Sequence, residues 1–176
     1  MSSKFFFFTI VLVATIFFSE TTVAQTSFEL PQHVELINKE DYAIYESPVI
    51  QAARWLEEND LDQETEKRKE INAFVLKWIT GSPSVSVVIS EQIQKIYGRN
   101  VQLLAVYLAS YSRYMLENKN THDNFKATKA ALMSMISVYK KGIAVHKTRE
   151  MDKLISLTEA GQLDNYIIQK LKVQKD

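Results

Sequence analysis

No cysteine occurs among the 176 residues of this chain, and that absence removes disulfides, thiol nucleophiles, thiolate metal centres and lipid attachment through an N-terminal Cys. A domain of about 150 residues can do without covalent staples, because a chain of that length buries roughly 68–70% of its surface on folding. Glycine is scarce as well. The four present each fall near an expected helix end, so neither a phosphate-cradling loop nor a dinucleotide fingerprint can be built. Charge of one sign is also missing: 21 Lys and Arg stand against 21 Asp and Glu, which leaves no basic footprint for nucleic acid. No Asn-x-Ser/Thr sequon occurs, and long apolar runs are confined to one place.

That place is the N-terminus. Lys4 supplies a short positive region, Phe5 to Phe18 is apolar except for Thr9 and Thr15, and Thr22-Val23-Ala24 puts small residues at the −3 and −1 positions of a cleavage site. Residues 1–24 therefore read as a signal peptide, cut between Ala24 and Gln25, and the remainder as periplasmic or secreted. A spanning helix needs about 20 mostly apolar residues, and recruiting Ser19 to Ala24 would bury Glu20. Only if the signal is kept would the protein be tethered to a membrane.

Residues 25–46, which include Pro31, read as an extended arm with a short helix around His33 to Lys39. Residues 47–173 read as a helical bundle domain, followed by a polar tail at 174–176. Ser47-Pro48 suits an N-cap with proline at the first helical position. Ile71, Phe74, Val75 and Trp78 form one apolar stripe at helical spacing, closed by Thr80-Gly81-Ser82-Pro83 with Gly81 as the C-cap. Val85 to Tyr97 is ambiguous, since Val85-Ser86-Val87 alternates like a strand; the longer window favours a helix starting at Ser82-Pro83. Asn100 caps a helix to about Asn118 that is apolar nearly all round, as a buried helix is. A polar turn to Asn124, an amphipathic helix ending near Gly142, and two further helices separated by Gly161 complete the chain. The expected fold class is all-α, a single-domain bundle of about six helices with short connections.

Marked chemistry is sparse. His33, His122 and His146 lack a second His or carboxylate at ligand spacing. Asp60-x-Asp62-x-Glu64 opens like a calcium loop, but Thr65 and Ile71 stand where an EF-hand needs glycine and a bidentate Glu. There is no G-x-S-x-G, and Glu57-Glu58 reads as solvated charge. The sequence names no catalytic residue, no cofactor and no metal ligand. Tyr107, Tyr111 and Tyr114 at i, i+4 and i+7, with Arg113 beside them, are the candidate partner or ligand surface, since Tyr and Arg are enriched in binding hot spots. Core packing is the simpler reading of the same stripe. The cluster Lys140, Lys141, His146, Lys147 and Arg149 could meet an anionic surface, though Glu150 and Asp152 dilute it.

The expectation is an exported, non-enzymatic helical bundle that binds a protein partner or a small ligand. The alternatives are a cell-envelope hydrolase whose carboxylates converge only in the fold, and a structural or assembly subunit.

Overall fold

A computed structural model describes residues 28–175; the expected signal peptide and its cleavage site lie outside the described residues. Among the described residues the regular secondary structure is all helical. In order, the elements are α1 (Lys39–Ile44), α2 (Glu46–Glu58), α3 (Thr65–Gly81), α4 (Glu91–Tyr97), α5 (Val101–Glu117), α6 (Asn124–Lys140), α7 (Arg149–Glu159) and α8 (Leu163–Tyr166), which runs on into a π-helical turn at Ile167–Leu171. That is eight helices among the described residues rather than about six. Among these residues no helix is long and apolar enough to cross a membrane.

Four long helices, α2, α3, α5 and α6, form the main layer. The short α4, α7, α8 and the π turn pack on one another as a smaller second group, in contact with α5 and α6. Helix α5 is the hub, and ten of its residues are buried, from Leu103 to Leu116. It forms a hairpin with α6 through a short polar turn in which Asp123 caps α6, its carboxylate accepting from Lys126 N at 2.8 Å. Trp55 and Trp78 are 1% and 0% exposed, so each contributes the apolar area of a large ring to the core. The stripe Ile71, Phe74, Val75 and Trp78 is buried as its spacing predicts. Trp78 Nε1 also donates to Tyr42 O at 2.9 Å, which fastens α1 to α3.

Helix α1 occupies Lys39–Ile44 rather than His33–Lys39. Its start is fixed at Asn38, where Asp41 reaches back to accept from Asn38 N at 2.7 Å and Ile37 N at 2.9 Å. Those backbone hydrogen bonds hold the Asp41 carboxyl below the usual range. Before α1 the chain is irregular; Phe28 is buried, and Leu30, Val34 and Leu36 lie half-buried against the core. Helix α2 begins at Glu46, so Ser47 is not its cap, and Pro48 falls third in the helix, where its missing N–H still has no intrahelical role.

Two further expectations are corrected. Gly81 is the last residue of α3, not its C-cap, which is Ser82. A Cβ at Gly81 would collide with the Tyr42 ring, so any other residue there needs that side chain to shift. The helix expected from Ser82-Pro83 begins only at Glu91, behind the Ser90 cap, and residues 82–90 are irregular. Val85, Val87, Val88 and Ile89 are stiff at χ1 and weak helix formers. Ser82 Oγ accepts from Ser84 N and Val85 N, both at 3.3 Å, as an N-cap would, but no helix follows it.

Candidate functional site

A groove of about 740 Å³ lies over the middle of α5. Its floor is Tyr107, Tyr111 and Met115 from α5, with Asn124 and Thr128 from α6. One wall is the irregular segment from Ser82 to Ser90; the other is the chain leaving the π turn, from Leu171 to Gln174, and His122 stands at one end. Each wall has a local cause. The β-branched residues of the first segment are weak helix formers, and Lys172 turns the second through a left-handed backbone, φ 60°.

Tyr107 and Tyr111 are buried, 2% and 4% exposed, with ring centroids 6.4 Å apart. Burial pushes the Tyr107 phenol up to about 12 and raises that of Tyr111, so both remain neutral hydrogen-bonding groups at ordinary pH. Thr128 hydrogen-bonds Tyr107 and partly offsets its shift. Tyr111 Oη donates to Asn124 Oδ1 at 2.8 Å. The polar lining of the groove is thus hydroxyl, amide, one imidazole and the Lys172 ammonium, with Val85, Ile93, Met115 and Leu171 as its apolar part; no Asp or Glu lines it.

The four-residue surface read from the sequence is divided by the fold. Tyr107 and Tyr111 line the groove; Tyr114, on the same helical face but a turn further along, is half-buried against the core instead. Arg113 points away from the groove, its Nη2 donating to Glu57 Oε1 at 2.9 Å. That oxygen also accepts from Ser110 Oγ at 2.5 Å and Ser134 Oγ at 2.9 Å, so Glu57 is the half-buried hub joining α2, α5 and α6 rather than solvated charge.

Other sequence candidates are similarly reassigned. Asp60 turns to Lys141 at 3.3 Å and Glu64 to Lys67 at 3.5 Å, so the acidic run does not converge. Among the described residues no group of three or more His, Cys, Asp or Glu is placed to hold a metal. Asn100 precedes α5 but its side chain does not cap it: Nδ2 donates to His146 O at 2.9 Å, and Oδ1 accepts from His146 N at 2.7 Å. The basic cluster after α6 is scattered. Lys140 pairs with Glu159, Lys141 reaches Glu57 O and Glu58 O at the end of α2, and Arg149 opens α7.

The serines of the groove wall were the residues that sequence reasoning passed over. Ser82, Ser84 and Ser86 recur with a period of two, a pattern that in extended chain puts hydroxyls on one side, and Ser90 follows four residues later. Comparison of the chain with known protein families, with characterised proteins and with solved structures finds no match.

Proposed function

We propose that this protein is an exported, non-enzymatic binding module whose ligand is a small amphipathic molecule seated on the Tyr107–Tyr111 floor. The observation that carries this reading is the composition of the groove. It is concave, its volume of about 740 Å³ suits a small molecule, and a few polar groups are set among apolar ones. Neutral phenols, serine hydroxyls and the Asn124 amide would fix a ligand's hydroxyl or carbonyl groups, and Met115, Ile93 and Leu171 would take its apolar part. A carboxylate pair for acid–base hydrolysis has no seat in this groove, which favours binding over the hydrolase alternative there. Concavity favours a small ligand over a protein face. Export rests on the leader pattern at Met1–Ala24, with the mature chain starting at Gln25.

Native mass spectrometry of the protein recovered from its producing cells' exported fraction tests both parts. The expected result is a chain beginning at Gln25 that retains a small molecule, and loss of that molecule in Ser86→Trp, which fills the groove from an exposed position. Equal retention by Ser86→Trp would put the ligand elsewhere. A mass that includes residues 1–24 would overturn cleavage.

A further inference from the structure

A second concavity, of about 390 Å³, lies between α4, α7 and the π turn, and it shares no lining residue with the tyrosine groove. Four cations surround it: Lys95 from α4, Arg149 and Lys153 from α7, and Lys170 from the π turn. Glu150 is the one carboxylate in its lining. Ile96 and Leu154 form a buried floor, with the Tyr166 ring and the Gln92 amide beside them, both half-buried.

Most cations elsewhere in the molecule have a partner, although Lys39, Arg99, Lys147 and Lys172 have none among the described residues; what sets this pocket apart is that its cations converge on one concavity. Arg54, Arg113, Lys119, Lys129 and Lys140 each meet a carboxylate. Arg68 and Lys141 bind backbone carbonyls. Arg149, Lys153 and Lys170 meet neither among the described residues, and of the four only Lys95 is paired, with Glu91 at 2.7 Å. Two features make the arrangement unfavourable while the pocket is empty. Arg149 and Lys153 stand at i and i+4, adjacent like charges on one helical face. Arg149 is also the first residue of α7, where the helix dipole disfavours a cation. An anion in the pocket reverses both penalties.

We infer that this pocket binds a small phosphorylated molecule, its phosphoryl oxygens held by Arg149, Lys153 and Lys170 and its organic part resting on Tyr166, Ile96 and Leu154. The planar guanidinium offers two parallel N–H donors to phosphoryl oxygens, and the lysines add point charge. Burial, and next the charge of Glu150, raise the Tyr166 phenol, which keeps its hydroxyl as a donor. More than one phosphoryl charge is indicated, because three unpaired cations exceed what Glu150 offsets.

Isothermal titration of the full protein with inorganic pyrophosphate at low ionic strength tests the inference. The wild type should show saturable one-site binding, weakened roughly tenfold or more in Arg149→Ala/Lys153→Ala, the loss expected for two charge-assisted contacts. Lys39→Ala/Lys69→Ala removes the same charge from exposed positions on α1 and α3 and should leave the affinity within about twofold, since long-range charge effects are screened. All four side chains are exposed, so both variants should keep the wild-type circular dichroism melt. Absence of saturable binding, or equal weakening in the two double variants, would overturn the site. So would binding to phosphatidylglycerol vesicles that pyrophosphate does not displace, because that result assigns the cations to a lipid surface.

Discussion

The four-helix layer and the α4–α7–α8 group handle charge in opposite ways. In the first, several polar side chains are drawn inward and bind across helices. Arg68 is 2% exposed and donates to Asn59 O at 2.8 Å, Asp60 O at 3.0 Å and Leu56 O at 3.4 Å, so it closes the C-terminal end of α2, with its guanidinium 5.1 Å from the Trp55 ring. Glu57 joins three helices through one oxygen. In the second group, cations converge on a concavity with little to neutralise them.

That contrast can be broken most severely in the long-helix layer. Trp78→Ala should cost about 3–5 kcal/mol, as deletion of a fully buried large aromatic does, and an unchanged urea midpoint would show that this ring does not hold the layer together. Arg68→Met, which keeps the stem but leaves helix-end carbonyls unpaired, should cost about 2 kcal/mol in the same assay.

Two titrations sharpen the contrast further. The Asp123 carboxyl is held below its ordinary value, first by Lys126 N–H. Its contribution is therefore present above the normal carboxylate range and is lost as pH falls through the lowered value. Asp123→Ala should cost about 1 kcal/mol at neutral pH, and the gap from wild type should narrow as pH falls below the ordinary carboxylate range. The Tyr107 phenol, raised to about 12, acts in the opposite sense. Its stabilisation is intact below the unfolded value near 10 and fades as pH rises toward the folded value, so absorbance at alkaline pH should show Tyr107 ionising late, together with unfolding. In the second group the sign should invert. Arg149→Ala/Lys153→Ala should leave stability unchanged or raise it by about 0.2–0.5 kcal/mol, through relief of like-charge repulsion.

Much of the long-helix layer was legible because it rests on a local property. The period of Ile71, Phe74, Val75 and Trp78 is a statement about one helix, and burial follows from it. The same holds for α5, whose nearly uniform apolarity announces its place at the centre. What could not be read depends on distant partners. Nothing near residue 57 indicates that Ser110, Arg113 and Ser134 will meet one of its oxygens, and nothing near residue 100 indicates the double hydrogen bond to His146. The groove is intermediate. Its tyrosines were visible as a stripe, but a stripe does not tell a core face from a floor until the segment Ser82–Ser90 forms a wall. The basic pocket was hidden because Lys95, Lys170 and the α7 cations lie far apart in the chain.

The closure of α2 also bears on the order in which the molecule can be finished. Its end is bound first by Arg68, within one helix hairpin, and then by Lys141, whose ammonium reaches Glu57 O and Glu58 O across 84 and 83 residues of chain. A contact that distant must pay loop-closure entropy before it returns anything. As the chain grows from its N-terminus, α2 and α3 can meet early, yet the last carbonyls of α2 keep exchanging with water until residue 141 is made and α6 has docked. The first half of the protein is thereby kept provisional until the second half arrives.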